Sequence, residues 1–427
     1  MQVIYPCNRV ILKMFDMQES LSQRIRGYLT MFSFICFFSI SSMGQEVGNV
    51  VDALVEMGFE NVGYSEDDKE LVYILQNSAY KLNGVGIGKA VDVIQSQGMP
   101  EGKACRIVVL DNNVPQISLI CYSNSEADSL NSVSRRDWEV SYELGDSWEH
   151  AQKAKRKNSS LYKVDIVIYP EFSFKNLIIT QIYQILFNVN PAVEVSLWRG
   201  MKLEAQVIFP IKNEYGRYYR QIRQGMITFS QTIRLEDNVF LTGSVGTFSN
   251  FRWGADVRAK FIPKKDERFS LEARVGLTGT SRFENWRWKV SPLKVFTWSL
   301  GGNFYWERYN TQLKLNLEQY LQEEKGVQFQ MIRHFRHASI GFWAMKTWNE
   351  KNNGVNGGFM FQIALPPYHQ KRKGYIPRVR TSNYMGIRYN AGNEQRYGQT
   401  YKALPWDNIA NDNSFNPIFI KSELLNY

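Results

Sequence analysis

From about Lys163 to Leu365 the chain is written in short segments that alternate apolar and polar residues. Leu271, Ala273, Val275 and Leu277 alternate with Glu272, Arg274, Gly276 and Thr278. Trp253, Ala255, Val257, Ala259 and Phe261 do the same with Gly254, Asp256, Arg258 and Lys260. Leu313, Leu315 and Leu317 stand against Gln312, Lys314, Asn316 and Glu318, and Leu203, Ala205, Val207 and Phe209 against Lys202, Glu204 and Gln206. Successive side chains of a strand point to opposite faces, so each segment predicts a strand with one apolar and one charged face.

About twelve such segments follow one another, near 163–173, 184–198, 201–211, 222–234, 238–248, 253–262, 268–279, 294–306, 309–318, 326–333, 338–346 and 357–365. They run roughly 9–13 residues, the length a tilted strand needs to cross a bilayer and more than the usual soluble strand. Tight turns fall at Arg199-Gly200, Leu235–Asp237, Lys264–Glu267 and Phe335–His337. Longer polar or aromatic loops fall at Phe174–Tyr183, Lys212–Gln221, Thr280–Leu293 and Thr347–Asn356, and the short link Ser249–Arg252 breaks the rule. A soluble sandwich also alternates, but short turns at one end and long loops at the other mark an outer-membrane barrel. The expected fold class is therefore mainly β: a transmembrane antiparallel β-barrel over 159–365 with a small α+β domain before it.

That α+β domain, 45–158, has a different texture. Val47–Met57 predicts a helix with Val50, Val51, Leu54 and Val55 on one face, and Leu71–Leu75 a strand. A second helix from Gly88 to about Gln97 carries Ala90, Val91, Val93 and Ile94. Cys105–Leu110 and Gln116–Cys121 flank Asn112-Asn113 as a hairpin, and Trp138–Leu144 adds a strand. Cys105 and Cys121 are nearly equidistant from the turn; a disulfide and a pair of buried thiols both fit. Gly84-Val85-Gly86-Ile87-Gly88-Lys89 lacks the glycine spacing and the Ser or Thr of a phosphate loop, so it reads as a helix entry. Ala151–Ser160 is polar and basic and reads as a linker.

The first 44 residues read as an export signal: Arg24 and Arg26 precede an apolar run, Tyr28–Ile40, and Ser42-Met43-Gly44 suits cleavage before Gln45. Met17 and Met31 are alternative starts. Export places the α+β domain, the tight turns and the tail 366–427 in the periplasm, and the long loops outside the cell. Pro366-Pro367 ends the last strand, and Arg380–Asn390 has the pattern of one more.

Composition agrees with a barrel. The 427 residues are 44% hydrophobic and 14% aromatic, yet mean hydropathy is only −0.35, because half of each barrel strand faces a polar lumen. Trp198, Phe251, Trp253, Phe269, Trp306, Tyr309, Tyr320 and Trp348 gather at segment ends, where interfacial girdles sit. The net charge of +10 suits acidic glycans or lipid head groups, and equally a solvated surface; no basic motif argues for nucleic acid. With four histidines and none near the domain's cysteines, no metal site and no cofactor is expected.

Candidate chemistry is sparse. His337 and Ser339 share a strand face, as a Ser–His pair would, but sit at a tight turn with no acid or amide partner in the pattern. No enzyme is expected. Glu194, Lys202, Glu204, Asp256, Arg258, Lys260, Glu272, Arg274, Lys314 and Glu318 read as lumen charges that pair with one another. Tyr215, Tyr218, Tyr219, Trp286, Trp288 and Trp348 lie in the long loops, where they either stack on sugar faces, with Arg217, Arg220 and Arg287 near acidic groups, or anchor at the lipid interface.

The last strands carry a family likeness. Met331-Ile332-Arg333-His334-Phe335, then Ala338-Ser339-Ile340-Gly341-Phe342-Trp343-Ala344, then Gly357-Gly358-Phe359-Met360-Phe361-Gln362-Ile363-Ala364-Leu365-Pro366 resemble the end of the YjbH-like exopolysaccharide biosynthesis proteins. The loop Asn349–Gly357 is Asn-rich where the family's is acidic, and the chain is short for the family. The resemblance implies a non-enzymatic outer-membrane barrel in export or surface assembly of exopolysaccharide or capsule. Its partners would be outer-membrane lipid, the exopolysaccharide and periplasmic polysaccharide-export proteins; no catalytic residues carry over. A porin-like or envelope-organising barrel, and a secreted β-sandwich adhesin, are the alternatives.

Overall fold

The computed structural model describes residues 47–122, 134–176, 183–284, 287–348, 353–391, 398–407 and 414–426; the expected signal segment and Trp286 lie outside them. The amino-terminal unit contains helix α1 (47–56), strands β1 (Glu60–Glu66) and β2 (Glu70–Gln76), helix α2 (Asn83–Gln97), the hairpin β3 (Ala104–Asp111) and β4 (Val114–Cys121), β5 (Glu139–Ser141) and helix α3 (Trp148–Ala151). The sheet runs β1-β2-β3-β4-β5, with β2 and β3 parallel, so α2 is their crossover. Val50, Leu54, Ile87, Val91 and Ile94 from the helices pack on Tyr73, Leu75, Ile107, Val109, Ile117 and Leu119.

The Asn112-Asn113 turn has φ values of 47° and 64°, the left-handed pair that a two-residue hairpin demands and that Asn tolerates. It sets Cys105 directly opposite Cys121, and both are buried free thiols. Strand β1 escapes sequence reading because Asn61, at φ 53°, bulges it and breaks the alternation. The expected linker 151–160 is packed along β1 instead: Lys157 N–H donates to the Val62 carbonyl at 2.7 Å, and Asn158 Oδ1 accepts from Val62 N–H at 3.0 Å.

The second sheet contains β6 (Val164–Asn176), β7 (Tyr183–Ser196), β8 (Met201–Asn213), β9 (Arg223–Arg234), β10 (Val239–Phe248), β11 (Arg252–Phe261), β12 (Phe269–Glu284), β13 (Arg287–Val290), β14 (Val295–Trp306), β15 (Thr311–Gln319), β16 (Lys325–His334), β17 (Ala338–Trp348), β18 (Asn353–Ala364), β19 (Arg378–Thr381) and β20 (Tyr384–Arg388). The long strands are antiparallel neighbours in chain order, and β13 folds back on the end of β12. The stretch expected as a loop at 280–293 is thus largely a hairpin. Where one extra strand is expected in the tail there are two: β19 pairs parallel with β6, and β20 pairs antiparallel with β18. Ser382 N–H donates to Ile168 O at 2.8 Å and Leu365 N–H to Asn383 O at 3.0 Å, so one segment ties the first long strand to the last.

The two faces of this sheet are inverted relative to a soluble protein. Leu315 is 54% exposed while Glu204 is fully buried. Val257, Val275, Leu300, Leu317, Phe329 and Phe342 share the exposed face, and Asn188, Thr228, Asp256, Thr278 and Gln362 the buried one. Register makes the apolar face continuous, with Val257 beside Val275, Leu300 beside Leu317 and Leu315 beside Phe329. A soluble sheet turns its apolar face inward and rarely leaves so large an apolar surface bare.

The amino-terminal unit sits on the end that carries the tight turns. Gly200 N–H donates to Asn112 O at 2.8 Å, Arg234 donates to Gln116 O at 2.9 Å, and Glu267 accepts from Ser141 Oγ at 2.6 Å and Tyr142 N–H at 2.9 Å. Ile262, from the β11–β12 turn, is buried in the amino-terminal core, together with Ile420 and Leu424 of helix α4 (Pro417–Leu425). The end of the tail is therefore part of the amino-terminal core. Ile262→Ala should cost about 2–5 kcal/mol of docking, as large-to-small core changes do. The check is limited proteolysis at 152–158, which should become faster while the large sheet stays intact.

Candidate functional site

The buried face of the large sheet gathers every charge singled out on the strands. Glu194 and Glu204 are direct register partners on β7 and β8, two carboxylates that would repel. Lys202 Nζ lies 2.8 Å from each, and Arg380 Nη2 lies 3.7 Å from Glu194, so the two carboxylates face two cations. On β11, Asp256 meets Arg258 at 3.1 Å and Arg274 of β12 at 2.7 Å. Glu272 lies between Lys260 at 3.8 Å and Lys314 at 3.5 Å, and Glu318 is also buried there. Near the amino-terminal unit Asp165 is held by Arg372, Arg378 and Arg380 at 2.8, 2.7 and 3.3 Å. A buried charge is tolerated when paired and hydrogen-bonded, and the alternating pattern places opposite signs within reach across strands.

The tail fills what remains. At the long-loop end Ser249 N–H donates to Lys402 O at 3.1 Å and Leu321 N–H to Gln399 O at 3.0 Å. Tyr401 then enters the interior, its hydroxyl donating to Asp256 at 2.7 Å and its ring lying under Arg274 at 4.6 Å. Gly276 makes this possible: a Cβ there would lie 1.8 Å from the Tyr401 hydroxyl. Asp407 receives both Nη groups of Arg258, 2.7 Å for the Nη1 contact. Burial alone would raise the Asp407 carboxyl, but Arg258 and Arg274 hold it below its usual range. Cavities of about 250 and 430 Å³ remain, and Trp406 lines both. Amides, hydroxyls and paired charges line the larger one, including Asn316, Gln328, Gln330 and Tyr320.

The glycine run at 84–88 also finds its reason here. Leu82, the N-cap of α2, has no side chain able to cap it, and the Gly84 N–H donates instead to Glu423 of α4 at 2.9 Å. A Cβ at Gly84 would fall 2.3 Å from Glu423, so glycine is required for that approach. Burial pushes the Glu423 carboxyl up to about 7, against the opposing pull of the Gly84 N–H and Arg336. The sequence pattern shows a helix entry but not its acceptor, which lies 339 residues away.

The loop aromatics are largely occupied by their own chain. Tyr215, Tyr218, Tyr219 and Phe251 pack edge to face at 5.1–6.1 Å, and Arg223 lies over Tyr218 and Tyr219. Trp288 packs on Phe283 and donates to Ser281 at 2.6 Å; Trp288 and Trp348 remain 46% and 43% exposed. Ser339 meets His334, at 2.9 Å, rather than His337, and Gln312 stands 3.4 Å from the other ring nitrogen. Tyr305 and the Phe419 ring of α4 flank that histidine. Among the described residues no group of three or more potential metal ligands occurs, and no helix is long and apolar enough to cross a membrane.

No known protein-family model matches this chain, and no curated protein does. Among solved structures it is similar to OmpTdeltaL8, a loop L8 deletion mutant of OmpT, an outer membrane protein of Vibrio cholerae. The likeness is 8% identity over 47% of this chain and 86% of that one, with a TM-score of 0.28.

Lys202→Met should cost about 3–5 kcal/mol, because it removes the cation that two facing carboxylates share. Adding Glu204→Gln should recover part of that loss, which urea titrations of the parent, single and double variants would measure.

Proposed function

We propose that this chain is a closed outer-membrane β-barrel of a Gram-negative envelope, with its α+β unit at the periplasmic mouth. We further propose that it serves surface assembly of an exopolysaccharide as a non-enzymatic anchor rather than an open conduit. The observation that carries the membrane reading is the inversion of the large sheet, with an apolar outer belt around a polar, charge-paired interior. At roughly 25 cal/mol per Å², leaving that belt in water would forfeit much of the stability a domain has, whereas hydrocarbon chains cover it without loss. The segment 378–388, paired to both long edge strands, supports closure, since a barrel in lipid cannot leave a strand edge unpaired.

The anchor reading draws support from the filled interior. Tyr401 and Asp407 bond to strand residues within it, and Trp406 lines both of the cavities left there. The exopolysaccharide itself rests on the likeness of the last strands to the YjbH-like family. The polar chamber of about 430 Å³ favours a second reading, a solute-permeable barrel with no glycan role. Deleting the gene separates them: loss of surface polysaccharide with unchanged solute permeability supports the anchor, and the reverse supports the second reading.

A charge scan tests the membrane reading. Val275→Lys or Leu315→Lys should block assembly, at about 2–4 kcal/mol near the bilayer midplane, while Gln330→Lys, which faces the chamber, should assemble normally. Equal tolerance at all of these positions, with the protein recovered in the soluble fraction, would contradict it.

A further inference from the structure

Charge is unevenly spread between the two ends of the large sheet. The connections 212–222, 249–252 and 281–294, at the long-loop end of β8 to β14, carry eight basic and two acidic residues. The short turns 199–200, 235–238 and 262–268, at the other end of the same sector, carry four of each. Both acids of the long connections are engaged, Glu214 at 3.7 Å from Lys212 and Glu284 at 3.1 Å from Lys289. Arg217, Arg220, Arg252, Arg282, Arg287 and Lys294 are left with no ion pair among the described residues. Packing draws these connections into one rim. Ser281 N–H donates to Phe251 O at 2.7 Å, and the Phe251 ring meets Tyr218 at 5.1 Å and the Arg282 guanidinium at 5.2 Å. The ribbon of β12 and β13 is two-faced: Arg282 stands opposite Lys289 and Glu284 opposite Arg287 on one face, and Phe283 opposite Trp288 on the other. Ile211 next to Lys212, Ile222 next to Arg223 and Val290 next to Lys289 are all more than half exposed, so the apolar belt runs up to the basic rim.

We propose that this rim binds the phosphate groups of membrane lipid, and that the lipid it prefers carries more than one phosphate. The inference rests on the membrane reading above and names a ligand which that reading leaves open. Cations directly above an apolar belt stand at head-group level, where an anionic surface attracts each Lys and Arg. Guanidinium groups meet phosphate oxygens through two parallel N–H donors, which suits the four arginines of the β8–β9 and β12–β14 connections. Six cations without an internal partner exceed what one phosphate neutralises. The two-faced ribbon fits the same boundary, with Trp288 and Val290 against acyl chains and Arg282, Arg287 and Lys289 toward phosphate. An acidic glycan fits less well. Tyr215, Tyr218, Tyr219 and Phe251 spend their rings edge to face on one another, and Arg223 lies over Tyr218 and Tyr219, so these aromatics back the cations instead of offering a platform for sugar.

The test takes the full chain folded in detergent and offers it a diglucosamine lipid with two phosphates, the same lipid without phosphate, or an oligogalacturonate as a soluble acidic glycan. Native mass spectrometry then counts what stays bound. The parent should retain the phosphorylated lipid and release the other two. Arg217→Gln, Arg287→Gln and Lys294→Gln together should cut that retention about tenfold. All three side chains are exposed, so their loss leaves the fold intact, which heat-modifiable migration on a gel confirms. Lys264→Gln, Lys265→Gln and Arg268→Gln remove the same charge at the short-turn end and should leave retention unchanged. Equal loss in both triple variants, equal retention of the lipid without phosphate, or capture of the oligogalacturonate in preference to lipid overturns the inference. Recovery of the chain in water without detergent contradicts the membrane reading and this inference with it; a chain that needs detergent yet holds no phosphorylated lipid overturns this inference alone.

Discussion

The large sheet depends on one electrostatic constraint: polar faces turned away from bulk water must neutralise themselves. Glu194 and Glu204 face each other across adjacent strands, and Lys202 between them, with Arg380 beside Glu194, offsets their charge. Asp256 stands in the same relation to Arg258 and Arg274, and Asp165 to its arginines. Each pair is modest as a source of stability, since desolvation offsets most of the attraction. Their value is in register, because a one-residue slip would carry the charges to the apolar face and the leucines inward.

That interior explains why the carboxyl-terminal segment folds where it does. Arg258 and Asp256 already pair on the strands, and Asp407 adds a second carboxylate to Arg258 and Tyr401 a further donor to Asp256. Glycines set the spacing at both ends of the segment: Gly276 leaves room for the Tyr401 hydroxyl and Gly84 for Glu423. In the amino-terminal unit, Ile262, Ile420 and Leu424 complete a core begun by α1 and α2. The unit, the sheet and the tail are thus one packed assembly rather than beads joined by linkers.

Much of this was legible in the chain. Period-two alternation places each long strand within a few residues of its observed bounds, since one apolar and one polar face leaves little freedom of register. Asn112-Asn113 announces its hairpin, and the charges picked from the strands all meet inside. What was not legible depends on distant contacts. Strand β1 hides behind the bulge at Asn61, and 151–160 looks like a linker because its polar side chains bond β1 rather than water. Beyond the strand pattern at Arg380–Asn390, the placement of the tail is not legible because its partners, Asp256, Arg258 and Gly84, lie far back in the sequence. Ser339 finds His334 across the β16–β17 pair rather than His337 beside it in sequence, a contact set by register.

The central proposal is that the apolar face of the sheet meets hydrocarbon while the polar face turns inward. Spin labels placed singly along β15 and β16 in lipid bilayers test it most directly. Labels at Leu315, Leu317 and Phe329 should collide with dissolved oxygen far more than with a polar nickel chelate, and labels at Asn316, Gln328 and Gln330 should not. A two-residue period in that contrast is the predicted result; equal access of the nickel chelate to Leu315, Leu317 and Phe329 would contradict the account.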